Sequence, residues 1–259
     1  PVDGARTKLS LLDQSGTPDW DALAREAAAV LGSGELLADR GDQALIVVEA
    51  PAPAARAWVA AARPGLSVLS AGTTIETAKR TGAPTALIDS VGLRDLDATH
   101  ALGHTRMATE SRVTTAGSHP FSTGPDLCLV HNGSLSNHNR LRRDLLRRGI
   151  GFQTENDSEV AAGYLTWRLA EGDTLEEALD GASAALDGFF TFAVGTRDGF
   201  AVLRDPIGCK PALLAETDAW VAMASEHRAI AVLPGAQDAH VWEPEPGQVY
   251  SWSRTAVPA

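Results

Sequence analysis

Apolar positions in the first part of the chain follow two rhythms. Short apolar runs at 8–12, 35–38, 44–48 and 66–70 have the length of strands. Between them, 19–31 opens on Asp19 and repeats its apolar residues at helical spacing, and 53–62 reads as a second helix. Asp39-Arg40-Gly41-Asp42 is a polar turn between the second and third runs. The order strand, helix, strand, strand, helix, strand predicts a split βαβ unit over 8–72. Residues 73–98 keep neither rhythm for long and predict a helical or irregular connector.

From His100 the texture changes to short strands and dense turns. Runs at 189–195 and 200–204 flank Thr196-Arg197-Asp198-Gly199, a hairpin signal, and 220–225 and 248–252 add two further strands. The apolar run 127–130 predicts a short strand that breaks at His131-Asn132-Gly133. A helix is expected next, over 137–148, with Leu141, Leu145 and Leu146 on one face and Gly149 as its stop. A second helix, 158–170, presents Val160, Ala161, Tyr164, Leu165 and Trp167. Strands and helices in separate blocks predict an α+β layered sandwich. The expected division is 1–98, an accessory α/β unit with its connector, and 99–259, the sandwich.

Charge and cysteine content narrow the classes. A formal net charge of −11 argues against a general nucleic-acid binder. No apolar run reaches the roughly 18–20 residues that span a bilayer, and no basic-then-apolar segment opens the chain, so no membrane association and a cytoplasmic location are expected. Cys128 and Cys209 have no partner at metal-finger spacing and both read as buried structural thiols. Arg140, Arg142, Arg143, Arg147 and Arg148 crowd the first predicted helix of the sandwich, as a solvated face or a docking face for an acidic partner.

Four places can carry chemistry. Asn132-Gly133 supplies a side-chain amide and a glycine backbone N–H at one strand end, a pair able to form an oxyanion hole; a plain hairpin turn is the alternative. Arg106, among small and hydroxyl residues, suits a carboxylate, since its planar fork donates two parallel hydrogen bonds; a surface ion pair is the alternative. His119 sits in a Ser-His-Pro turn, where a structural hydrogen-bonding role competes with a role in a pocket. Asp157 and Ser158 stand at a helix start, where an N-cap competes with a site for a substrate ammonium. No carboxylate spacing around His104, His119 or His131 supports a metal site.

Together, in this order, these segments resemble the glutaminase domain of class II glutamine amidotransferases. They comprise Gly-His-Thr-Arg at 103–106, His-Pro at 119–120, His-Asn-Gly at 131–133, Asn-Asp-Ser-Glu-Val at 156–160, Arg-Asp-Pro at 204–206, Gly-Cys-Lys-Pro at 208–211 and Ser-Glu at 225–226. The resemblance covers about 100–230 and implies a four-layer αββα sandwich of the N-terminal-nucleophile hydrolase fold, with the split βαβ unit inserted. It implies that Arg106 binds the glutamine α-carboxylate, that Thr109 and His119 line the same pocket, that Asn132 and Gly133 form the oxyanion hole, and that Asp157 binds the α-ammonium. Arg204, Asp205 and Glu226 look structural by the same comparison. Arg-Met-Ala-Thr-Glu-Ser at 106–111, Trp-Glu-Pro-Glu-Pro at 242–246 and the inserted α/β segment are similar to the separate amidotransferase subunits of glutamate-synthase-like enzymes, of the N-methylglutamate synthase type.

The family's nucleophile is a cysteine at the mature N-terminus, whose own α-amino group is the base. This chain begins Pro1-Val2-Asp3-Gly4, and Cys128 and Cys209 have their amines in peptide bonds. The expectation is that the nucleophile and the first strand of the sandwich lie outside these residues. The chain would then hydrolyse glutamine and deliver ammonia to a glutamate-synthase-like partner in a hetero-oligomer. The resemblance places FMN and iron–sulfur centres on partner subunits and no cofactor on this chain. The alternative is a non-catalytic glutamine-binding or scaffold subunit.

Overall fold

The elements expected over 8–72 form an antiparallel sheet with two helices. The computed structural model describes residues 1–16, 18–106 and 113–254. Its first elements are β1 (Thr7–Asp13), α1 (Trp20–Leu31), β2 (Glu35–Asp39), β3 (Gln43–Val48), α2 (Ala52–Ala62) and β4 (Leu66–Gly72), in strand order β2-β3-β1-β4. Asp19 caps α1 by accepting from the Ala22 N–H at 2.8 Å. Trp20, Leu23 and Ala27 of α1 then pack with Ala55 and Val59 of α2 against Leu9, Leu11, Ile46 and Val48. Burying each large side chain there contributes about 1.5–3 kcal/mol.

Both faces of β1 and β3 are buried, which is why their sequences read as unbroken apolar runs. The connector covers the second face. Lys8 pairs with Glu76 at 2.9 Å, and the Ser10 hydroxyl accepts from the Thr77 N–H. The Gln43 amide bonds both backbone groups of Lys79. Farther along, the connector forms α3 (Pro84–Val91), none of whose residues is buried.

The second half contains β5 (Leu127–Leu135), α4 (His138–Arg147), α5 (Asp157–Ala170), α6 (Leu175–Ala185), β6 (Gly188–Thr196), β7 (Gly199–Arg204), β8 (Leu213–Glu216), β9 (Val221–Ala224), α7 (His227–Ile230), β10 (His240–Trp242) and β11 (Val249–Ser253). One sheet runs β11-β7-β6-β5 and another β10-β8-β9. Side chains alternate across the first sheet with period two. Leu129, Phe190, Phe192 and Leu203 face α5 and α6, where Val160, Leu165 and Leu179 complete a core. Val130, Ala193 and Val202 face the other way and meet Leu214 of the second sheet.

Four elements depart from the sequence reading. β5 does not break at His131 but continues to Leu135 in unbroken register with β6. Gly133 is needed inside the ladder, not for a turn. At φ +148°, an added Cβ would lie 2.0 Å from the Phe189 carbonyl oxygen. Helix α6 went unread because its alanines blur the apolar period, although Thr174 and Glu177 form a full capping box at its start. The short strands β8 and β10 are held by pairing more than by pattern.

The two halves are clamped together at the start of β5. Asp126, at φ +46°, accepts from the N–H groups of Thr73, Thr74 and Ile75 and from both threonine hydroxyls at 2.8–3.1 Å. Burial acts to raise its pKa, but those backbone and hydroxyl donors prevail and hold it below the usual carboxylate value. The Gln153 amide bonds both backbone groups of Val68, and Arg56 donates to the Ser122 carbonyl and hydroxyl.

Asp126→Ala should destabilise the protein by about 2–4 kcal/mol in urea unfolding at pH 7, since donors lose a charged acceptor and alanine disfavours the positive φ. Because the folded pKa is depressed, the wild-type advantage is present above the unfolded value and disappears as pH falls through the folded one.

Candidate active site

Among the described residues β5 is the last strand of its sheet, and His104, Phe121 and Asp157 lie along its outer edge. In an antiparallel strand, backbone groups point alternately to either side. The Leu129 N–H and C=O bond Phe121, away from β6, and the Leu135 N–H donates to Asp157 Oδ2 at 2.9 Å on the same side. The His131 carbonyl accepts from His104 there as well. The alternation carries the Gly133 N–H to this outer edge, one residue after the half-buried Asn132. Among the described residues Asn132 makes no side-chain hydrogen bond.

The first turn of α5 faces that edge. Asn156, not Asp157, is the N-cap; its side chain accepts from the Ser158 N–H. Asp157 is therefore free to reach β5. The buried Ser158 hydroxyl lies 2.9 Å from His119 Nε2 and 2.8 Å from His131 Nδ1, and 3.3 Å from Asp157 Oδ1. The hydroxyl has one proton and three neighbours able to take it, Asp157 Oδ1 and the two rings, so at least one imidazole must donate to its oxygen. Both imidazoles donate when the proton goes to Asp157. His131 Nε2 is buried, has no hydrogen-bond partner among the described residues and lies toward Gly133.

The turn is fastened from behind. Glu159, buried, accepts from the Gln153 and Thr154 N–H groups and the Thr154 hydroxyl. Arg142 donates to the carbonyls of Thr154 and Asn156. Its guanidinium also lies over the Phe152 ring, and that of Arg148 lies over Trp167. Two of the five helical arginines are thus packed against the protein's own aromatic rings, rather than forming one open basic face.

Three imidazoles crowd this site. His104 and His119 lie 4.2 Å apart, centroid to centroid, and His131 is 6.4 Å from His119. Burial first, then the His104, His131, Lys79 and Arg106 charges, push His119 down to about 2. Burial lowers His131 to about 4, opposed by Asp157 and assisted by His104, Lys210 and Arg106. His104 is lowered by burial and by Arg106. The cluster is neutral at pH 7, and a cation and an anion, Arg106 and Asp157, both act on it.

His119, His131 and Asp157 therefore meet at Ser158, and the Gly133 backbone lies beside His131. The charge of the exposed Arg106 acts on all three imidazoles, while Asn132 follows His131 on β5 and is half-buried. Thr109 lies outside the described residues. Sequence reading missed Ser158 as the bridge and gave His131 no position; their 27-residue separation carries no local signal.

Cys128 is buried on β5, where burial pushes its thiol up to about 11 and suppresses the thiolate. Cys209, expected to be buried, is exposed. It follows Gly208, whose positive φ belongs to a turn pinned by the buried Arg204 and Asp205. Arg204 also donates to the Pro244 carbonyl, and the Phe190 N–H donates to Asp205.

Unfolded histidines protonate near pH 6.5, whereas His119 and His131 stay neutral in the fold to much lower pH. The unfolded state then binds more protons, so stability should fall as pH drops from 6.5 toward 4. His131→Gln should reduce that slope in urea titrations at pH 7, 6 and 5. An unchanged slope would mean that His131 is not held neutral.

Residues 104–232 match a glutamine amidotransferase domain. The glutamine amidotransferase-like protein GlxB of Rhizobium meliloti is 51% identical over 95% of this chain and 82% of its own length. A putative glutamine amidotransferase of Methanothermobacter thermautotrophicus is 38% identical over 61% of this chain and 53% of its own. The fold is that of N-terminal-nucleophile amidotransferase domains. The glutamine phosphoribosylpyrophosphate amidotransferase of B. subtilis superimposes with TM-score 0.55 at 20% identity, over 95% of this chain and 47% of that one. With the sequence match and the fold in agreement, the chain belongs to the class II glutamine amidotransferase family.

Proposed function

We propose that this protein is a glutaminase subunit that hydrolyses glutamine to glutamate and ammonia for a partner synthase. One observation carries the reading. A guanidinium at 106 and a carboxylate at 157 both act on the imidazole of His131, whose ring lies beside the Gly133 backbone and one residue before Asn132. A free amino acid carries an anion and a cation on one carbon, so its two anchors must be of opposite sign and close together. Arg106 would take the α-carboxylate and Asp157 the α-ammonium, with His119 and Thr109 lining the pocket.

The chemistry follows from that pose. A thiolate attacks the side-chain amide carbon, and the carbonyl oxygen becomes an oxyanion that the Asn132 and Gly133 donors stabilise. Collapse expels ammonia, which takes up the proton removed from the thiol, and leaves a thioester. Water hydrolyses the thioester to glutamate and restores the thiol. The proposed nucleophile is an N-terminal cysteine outside residues 1–259, its α-amino group acting as base. Cys128 is a poor candidate, with its raised pKa and its place within β5. The proposed partner is a glutamate-synthase-like subunit carrying flavin and iron–sulfur centres. Its support is the likeness of 106–111, 242–246 and the inserted α/β unit to subunits of that kind.

In the protein carrying its N-terminal cysteine, Arg106→Ala should weaken glutamine binding by about 2–5 kcal/mol, because a desolvated carboxylate loses its partner. Calorimetric titration is the measurement, and an unchanged dissociation constant would remove Arg106 from the pocket.

Asn132→Ala should instead lower turnover on the order of a hundred- to a thousandfold with little change in affinity, since its oxygen partner is charged only in the transition state. Ammonia release should be absent from residues 1–259 alone. Wild-type activity from that form would reopen Cys128 and Cys209. Glutamine binding without hydrolysis by the longer protein would favour a sensing subunit.

A further inference from the structure

The α/β unit reaches the loop that carries His119 through a side chain of its connector. Lys79 leaves the connector with its backbone clamped by the Gln43 amide, so β3 sets its position. Its stem is buried, and Nζ crosses to the other half of the molecule. There it donates to the Ala116 carbonyl at 3.3 Å and lies 4.3 Å above the Phe121 ring. Both residues belong to the 113–121 loop that presents His119. His119 stands edge-on to Phe121 at 5.3 Å, and the Asn156 amide donates to the Gly117 carbonyl of the same loop. A cavity of about 20 Å³ beside Lys79, lined also by Ser67, Gln153 and Glu159, has room for about one water.

Burying an ammonium is costly, and an apolar residue of similar length would fill this space at lower cost. We propose that Lys79 is a positioning residue for the glutamine pocket: from the α/β unit it holds the His119 loop against the first turn of α5. The proposal rests on the glutaminase reading only for what the loop does, not for the contact itself. Among the described residues the titratable groups that act with Lys79 are Glu159 of α5, which attracts it, Arg56 of α2, which acts on the same carboxylate, and the neutral His119, whose protonation the Lys79 charge disfavours.

Burial lowers Lys79 to about 7, far below its unfolded value of 10.5, with Glu159 opposing the shift. Between those values the unfolded state binds the extra proton, so stability should rise with pH across that window. Lys79→Met removes this dependence, and because Glu159 keeps Arg56 and its three hydrogen bonds, stability at pH 7 should change little. A residue of merely structural importance would lose stability and function together; here they should separate.

The test uses the full chain with its N-terminal cysteine, as wild type, K79M and K79R. In K79M, amide exchange at 116–119 should accelerate about fivefold or more while β5, β6 and β7 stay protected. Glutamine should bind about fivefold more weakly, as expected for one lost hydrogen bond. K79R, whose guanidinium can extend into the neighbouring cavity, should recover most of both. Should K79M not fold, Lys79→Gln, too short to reach Ala116, replaces it. Unchanged exchange at 116–119 overturns the proposal. If wild type binds no glutamine, the pocket reading fails, and the exchange measurement alone decides the role of Lys79.

Discussion

The first turn of α5 is the constraint on which the rest of the structure depends. Three consecutive residues there face three different ways. Asp157 reaches the outer edge of β5, Ser158 bridges two imidazoles, and Glu159 turns back to tie down the Gln153-Thr154 backbone. A helix turns about 100° per residue, so adjacent positions cannot share a face. The turn is held by Asn156 as cap and by Arg142 on the preceding carbonyls. Loosening it would release the edge, the histidines and the seam at once.

The seam ties the α/β unit of β1 to β4 to the elements that carry the candidate site. Asp126 draws the end of β4 onto the start of β5, and Gln153 imitates a strand partner for Val68. Arg56 and Lys79 bring positive charge from the inserted unit toward Glu159. A buried carboxylate is tolerated only with such donors and counter-charges. The seam therefore sets the depth at which α5 begins, and with it the reach of Asp157.

The three histidines act in this setting as neutral hydrogen-bonding rings. Burial and mutual repulsion keep protons off them, so Arg106 remains the cation at the mouth of the site. That arrangement suits a carboxylate ligand, because a charged imidazole cluster would compete for it inside the pocket. Asp157 is paired with the neutral His131, which is consistent with the proposed ammonium site.

Local pattern alone determined much of this protein. The split βαβ unit was legible because its strands and helices alternate cleanly and Asp19 marks a helix start. The motifs at 103–106, 131–133 and 156–160 named the family and most of the candidate residues. Pattern misread the end of β5, since Asn-Gly looks like a turn until a partner strand lies close enough to require glycine within the ladder. It placed Asp157 as a possible cap, a task that the structure gives to Asn156. It gave no sign of the Ser158 bridge, the exposure of Cys209 or the reach of Lys79. Each of these depends on contacts between residues far apart in the chain, or on how a turn meets solvent. Hydrophobic period and motif spacing encode what neighbours do along the chain; which donor meets which acceptor across it is decided only when the layers pack.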